Sequence, residues 1–209
     1  MLTNEQIIEN KEKFLKLVAE INIEGADTQG LVEYLDKTDF FVAPASTQYH
    51  NNFKGGLCEH SLNVCEAILD LANNYFPNRY SKSTLLVVSL FHDISKVNFY
   101  ESTIINKKIY SDKGTKQDNQ GRFDWFAESV FKVKDVHDRF LAGTHEENSL
   151  LILSQYIPLT LEESVAIMNH HATASPNAPS DLSAIMNKFP LLTLLHLSDL
   201  IGTYIKERI

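Results

Sequence analysis

Thiols, phosphate-binding glycine loops and long apolar runs are nearly missing from this 209-residue sequence, and each absence closes off a class of function. The only two cysteines, Cys58 and Cys65, stand seven apart on one stretch of helical spacing. They read as buried thiols, which leaves neither a disulfide framework nor a CxxC zinc site. No stretch approaches the run of about eighteen apolar residues that a membrane-spanning helix needs. The first residues, MLTNEQIIENKEKF, lack the basic-then-apolar pattern of a signal peptide, so the expectation is a soluble cytoplasmic protein with no membrane partner. Excess positive charge is missing too. A net charge of −8 repels phosphate backbones and excludes long nucleic acid as the default partner. There is no internal repeat and no low-complexity segment.

What remains is 44% hydrophobic and 22% charged, enough to close a core as one domain over 1–209. Thr3 and Gln6 make a capping box for an amphipathic first helix. Asp27 or Thr28 caps a short second one. Together they form an N-terminal helical extension over 1–39. Pro44 and the Gly55–Gly56 pair break periodicity across 40–56, so this is an ordered loop. It carries Tyr49 and His50 towards a helix from Leu57 to Tyr75 that has His60 in its first turns. Residues 97–140 have β-branched and aromatic residues in weak alternation around a polar tip, SDKGTKQDNQ. They predict an inserted β-hairpin or lid.

From Lys96 to Phe140 the chain holds nine Lys and Arg against seven acids, so this stretch is about +2 while the remainder is near −10. A basic lid on an acidic protein suits a small anionic ligand, and it suits a solvated hairpin equally well. Trp125, Phe123 and Tyr110 could stack on a base or simply pack the hairpin down. Helical patterning resumes at Thr144. Thr160 and Glu163 form a second capping box for a helix ending at His170 and His171. After a loop over 172–180, Pro190 opens a last helix, apolar on nearly every side, with Asp199 inside it. The fold class expected from this pattern is mainly α.

The most informative stretch runs from Leu85 to Lys96, LLVVSLFHDISK. An ionised Asp93 in so apolar a run must be paired, protonated or bound to a cation, and a metal fits best. On a continuous helix His92 and Asp93 reach round one ion while Lys96 shares their face. His60, His92, Asp93, His145, His170 and Asp199 together supply four imidazoles and two carboxylates. Such a donor set suits Mn, Fe, Ni or Zn, and six ligands suffice for two ions sharing Asp93.

The order His, His-Asp, His, His, Asp resembles the HD-domain superfamily of metal-dependent phosphohydrolases. The resemblance rests on GGLCEHSLNV, LFHDISK, THEENSLLIL, AIMNHH and LHLSDLIGTY, and it is to the small single-domain members of Firmicutes and their phages. It implies an HD-type helical bundle with an inserted hairpin. It also implies that His60, His92, Asp93 and Asp199 hold a first divalent ion, and that Asp93 bridges to a second held by His145 and His170.

The implied reaction is hydrolysis of a nucleotide or other small phosphoester by a metal-activated bridging hydroxide, with Asp93 and Lys96 catalytic. Lys96, His50, His171 and Trp125 are the candidate substrate contacts, although His171 reads more readily as a neutral bystander. His196 is a candidate second support for Asp199, and His137 has no evident role. Gly56 stands where three-metal relatives carry a carboxylate, which speaks against a third ion. The same ligands also fit a di-iron HD-type oxygenase, a non-catalytic nucleotide sensor, or an exonuclease on short strands. Oligomeric state is not readable.

Overall fold

A computed structural model describes residues 1–139, 143–171 and 180–207. The helices are α1 Asn4–Val18, α2 Thr28–Asp36, α3 Gly56–Tyr75, α4 Lys82–Phe91, α5 His145–Leu153, α6 Leu161–Met168, α7 Leu182–Lys188 and α8 Pro190–Ile201. The strands are β1 Tyr100–Tyr110, β2 Lys116–Asp118 and β3 Gly121–Val133. Local chemistry sets most helix starts. Thr3, Thr144 and Thr160 each close a capping box with the residue three on, and the side chains of Asp27 and Ser81 cap α2 and α4.

The mainly α expectation is corrected here. Helix makes up 52% and strand 14% of the described residues, and the fold is mixed α and β rather than a helical bundle carrying a hairpin. The reason lies in 100–133. These residues have no helical face, and their alternation builds a three-stranded antiparallel sheet in the order β1-β3-β2. β1 and β3 stay in register from Tyr100 opposite Val133 to Tyr110 opposite Phe123. Among the described residues no strand lies along a helix, so the sheet is an arm rooted at its Tyr100–Val133 end.

The core is helical. Phe14 of α1 stacks against Phe40, Phe41 and Phe91 with ring centroids 5.0, 5.7 and 5.6 Å away. α3 packs on α4 and α8, while α6 packs on α8 and α4. These four helices form a closed ring of contacts around fully buried Ile68, Leu86, Leu90 and Leu195. Gly56 lets α3 start hard against the preceding loop, because a Cβ there would lie 2.0 Å from the Asn51 carbonyl oxygen.

Two helix ends differ from expectation. α4 stops at Phe91, and Asp93 leads into a 3-10 turn over Ile94–Lys96. In a continuing α-helix the Ser89 carbonyl would accept from the residue 93 N–H; here it accepts from His92 Nδ1 at 2.8 Å. The last helix passes at Gly202 into a π-helical turn over Gly202–Lys206, which re-aims Glu207. α7 stands where no helix was expected. The loop expected over 172–180 lies, up to 179, outside the described residues, as do Phe140 of the expected lid and the last two positions of the expected final helix.

Thr160 caps the helix that presents His170, and its side chain accepts from Glu163 N while Glu163 reaches back to Thr160 N at 2.8 Å. Thr160→Ala is expected to cost about 1 kcal/mol. In a chain of this length that lowers Tm by about 2–4 °C, and a thermal melt with an unshifted midpoint would contradict this account of α6.

Candidate metal centre

The ring of helices brings six of the sequence-predicted residues to one place. His60 comes from the second turn of α3, and His92 and Asp93 lie just past the end of α4. His145 is the first residue of α5, His170 lies just past α6, and Asp199 is near the end of α8. His60, His92, Asp93, His170 and Asp199 are buried, and His145 is half-buried.

Asp93 sits at the centre with one oxygen on each side. Its Oδ2 lies 3.7 Å from His60 Nε2 and 3.5 Å from His92 Nε2. Its Oδ1 lies 3.6 Å from His145 Nε2 and 3.5 Å from His170 Nε2. Asp199 Oδ1 approaches His60 Nε2 at 3.2 Å. Donors about 2.1 Å from a common ion stand about 3.0–3.4 Å from one another. The spacings here are close to that.

Hydrogen bonding decides which nitrogens face inwards. His92 sits one residue and His170 two residues past a helix end, and each donates Nδ1–H to the carbonyl three residues back, Ser89 at 2.8 Å and Ile167 at 2.7 Å. His60 Nδ1 is 2.9 Å from Glu207 Oε1, and His145 Nδ1 is 3.2 Å from Glu146 Oε2. With every outer nitrogen committed, the Nε2 atoms point at one another as lone-pair donors. His60 Nε2 and His92 Nε2 are 3.2 Å apart. Two lone pairs at that range need a proton or a cation between them. Asp93 Oδ1 and His170 Nε2 are buried without a hydrogen-bond partner. Such orphans are rare in a folded interior and fit a missing positive ligand. The buried His and Asp groups therefore have the donor set and the spacing to hold a metal ion.

The carboxylates also govern protonation. Burial opposes charge on His60, but Asp199 and Glu207 outweigh it and lift the imidazole to about 10. For His171 burial is likewise overcome, by Asp199 and Glu146, and the ring rises to about 9. Burial wins at His92 and His145, pushing both down to about 3. Burial would raise Asp93 and Asp199, yet Lys96 and His92 beside the first, and His171 and His60 beside the second, hold both well below the usual carboxylate range.

Lys96 Nζ donates to Asp93 Oδ2 at 2.6 Å from the end of the 3-10 turn. It faces a cleft of about 630 Å³ whose polar floor includes His145, Glu146, His171 and Asp199 and whose rim includes Tyr49 and Tyr204. That volume lies within the small-molecule range. His50 also lines the cleft and stacks on His60 at 4.7 Å; burial, then the charges of His60 and Lys96, pushes it down to about 4. His171 lies among the ligand candidates that line the cleft.

Trp125 does not belong to the cleft. It sits on β3 opposite Lys108, towards the far end of the arm from Val133, and packs on Phe123 at 5.6 Å. That placement corrects its assignment as a substrate contact. His196 Nδ1 is 2.6 Å from the His170 carbonyl oxygen, so it supports the His170 segment. Glu207 and Glu146 were not recognised from sequence. Glu146 follows a ligand candidate directly, which was a usable signal, whereas Glu207 reaches His60 only through the π-helical turn. No protein-family model, no curated protein and no solved structure matches this chain.

Proposed function

We propose that this chain is a metal-dependent phosphohydrolase of the HD type, acting on a nucleotide or another small phosphoester. The observation that carries the reading is Asp93, a buried carboxylate with one oxygen directed at each of two groups of inward-facing imidazoles. In this reading His60, His92, Asp93 and Asp199 hold one divalent ion. His145, His170 and the second oxygen of Asp93 hold another. Mixed nitrogen and oxygen donors suit Mn, Fe, Ni or Zn. A divalent ion held there supplies Lewis acidity, lowering the pKa of a nearby water and neutralising charge on phosphoryl oxygens.

The chain's own residues do the rest. Asp93 and Asp199 orient the ligand shell, and Glu207 fixes the His60 ring through Nδ1. Lys96 reaches the cleft with its charge intact, since burial is outweighed by Asp93 and its pKa is raised. It can direct a phosphate oxygen towards Asp93. Tyr49 and Tyr204, both exposed, also line the cleft where a base or sugar would lie.

The test is to incubate Mn²⁺-loaded and Fe²⁺-loaded protein with a panel of nucleotides and cyclic dinucleotides, reading product masses against Asp93→Ala. Release of phosphate, or ring opening by water, that is absent in the variant supports the reading. No mass change with either metal overturns it. Glu207→Ala is expected to weaken metal binding about 10- to 100-fold by releasing the His60 ring. Titration calorimetry checks this, and an unchanged affinity would remove Glu207 from the site.

A further inference from the structure

The ligand set implied by the family resemblance leaves out a fifth imidazole that the fold holds in the same way as the others. His171 Nε2 lies 3.1 Å from Asp199 Oδ2, and its Nδ1 faces His145 Nε2 at 2.9 Å. The His171 ring centroid is 4.2 Å from that of His170. If His171 donates Nε2–H to Asp199, its Nδ1 is a bare lone pair. His145, with Nδ1–H directed at Glu146, turns a bare Nε2 towards it. One ring nitrogen from each of His145, His170 and His171 lies within 4.8 Å of the other two, and His170 Nε2 is buried without a hydrogen-bond partner. This repeats on the other side of Asp93 the arrangement of His60 and His92. Each ring is held from behind by an oxygen acceptor and offers its other nitrogen inwards.

We infer that His171 is a ligand of the second ion, giving a site of three imidazoles, His145, His170 and His171, plus Asp93 Oδ1. The inference rests on the metal-binding reading above but not on the hydrolytic one. It gives Asp199 two tasks, since Oδ1 faces His60 while Oδ2 anchors His171. Glu146 braces His145 from the outer side, with Oε2 3.2 Å from Nδ1, while its Oε1, 3.4 Å from His171 Nδ1, adds a carboxylate oxygen beside the group.

The experiment is a Mn²⁺ titration of metal-stripped protein, wild type beside His171→Ala and His171→Asn. It would be followed by calorimetry, by metal analysis after dialysis, and by electron paramagnetic resonance. The ring is 30% exposed, so neither variant should disturb the core; circular dichroism melts check this, and the asparagine variant keeps a donor for Asp199. Wild type is expected to take up two ions per chain and to show a spin-coupled pair. Both variants should retain one ion with a six-line uncoupled spectrum. The second dissociation constant should rise at least about 10- to 100-fold, the loss already expected for an outer-shell partner. Two ions bound with unchanged affinities and coupling in both variants would overturn the assignment of His171 while leaving the metal centre intact. Wild type that binds no Mn²⁺ would overturn the metal centre itself, and His171 with it.

Discussion

Asp93→Ala is expected to lower phosphoester turnover by at least about 10³-fold, the scale seen when electrostatic stabilisation of a transition state is removed. Asp93 directs an oxygen at the Nε2 atoms of both imidazole groups, so its loss disconnects both halves of the site. The substitution also strands a cation. Lys96, buried and 2.6 Å from Asp93 Oδ2, loses its partner. Leaving one member of a buried pair costs about 3–5 kcal/mol; the lower end applies here because Lys96 reaches the cleft. Asp93→Asn separates the two effects. It keeps the side-chain volume and one oxygen, so the fold should melt close to wild type while turnover still falls steeply. Full activity in a purified, folded Asp93→Ala protein would falsify the assignment.

The second large effect is on stability. Mn²⁺ present at about 100 times its dissociation constant should add about 2.7 kcal/mol per site. For a chain of this length that raises Tm by about 5–10 °C relative to chelated protein. The shift should be global, because the ligands come from α3, α6, α8, the end of α4 and the start of α5. An ion that ties them together is lost only when the helical ring opens. Thermal melts in EDTA and in graded MnCl₂ measure it. A midpoint indifferent to both would count against any metal centre here, whatever the activity. Mg²⁺ should give a much smaller shift, since it favours oxygen ligands and keeps its own waters.

Helix starts were legible because they depend on three or four neighbouring residues. The Thr3 and Thr160 boxes and Pro190 at the first position of α8 were read directly from spacing, while the Thr144 box, with Glu147 at the same spacing, was missed. Helix ends were less legible. α4 stops where the His92 ring takes the Ser89 carbonyl as its acceptor, and the turn after α8 becomes π-helical. No Gly or Pro follows α4 to mark its end, and Gly202 after α8 keeps right-handed backbone angles rather than the left-handed ones of a helix stop. The fold class was misjudged because weak alternation over 100–133 was read as a small insert. It forms strands of eleven and thirteen residues. In the site, His60, His92, Asp93, His145, His170 and Asp199 could be proposed from residue type and order. Which nitrogen each ring presents, the support from Glu146 and Glu207, and the involvement of His171 depend on contacts between segments far apart in the chain. Trp125 illustrates the converse: an aromatic residue in a basic stretch looked like a base-stacking contact, but strand register carries it towards the far end of the arm.

Under the proposed two-ion reading, dividing one carboxylate between two imidazole groups would also make their occupancies thermodynamically linked. Whatever factor filling one locus applies to affinity at the other, the reverse filling applies the same factor, because both routes join the same empty and doubly filled states. Asp93 is the conduit, with Oδ2 on the His60 side and Oδ1 on the His170 side. In the proposed two-ion site a substitution confined to one locus would thus be read out at both, and the microscopic constants would have meaning only as a coupled pair.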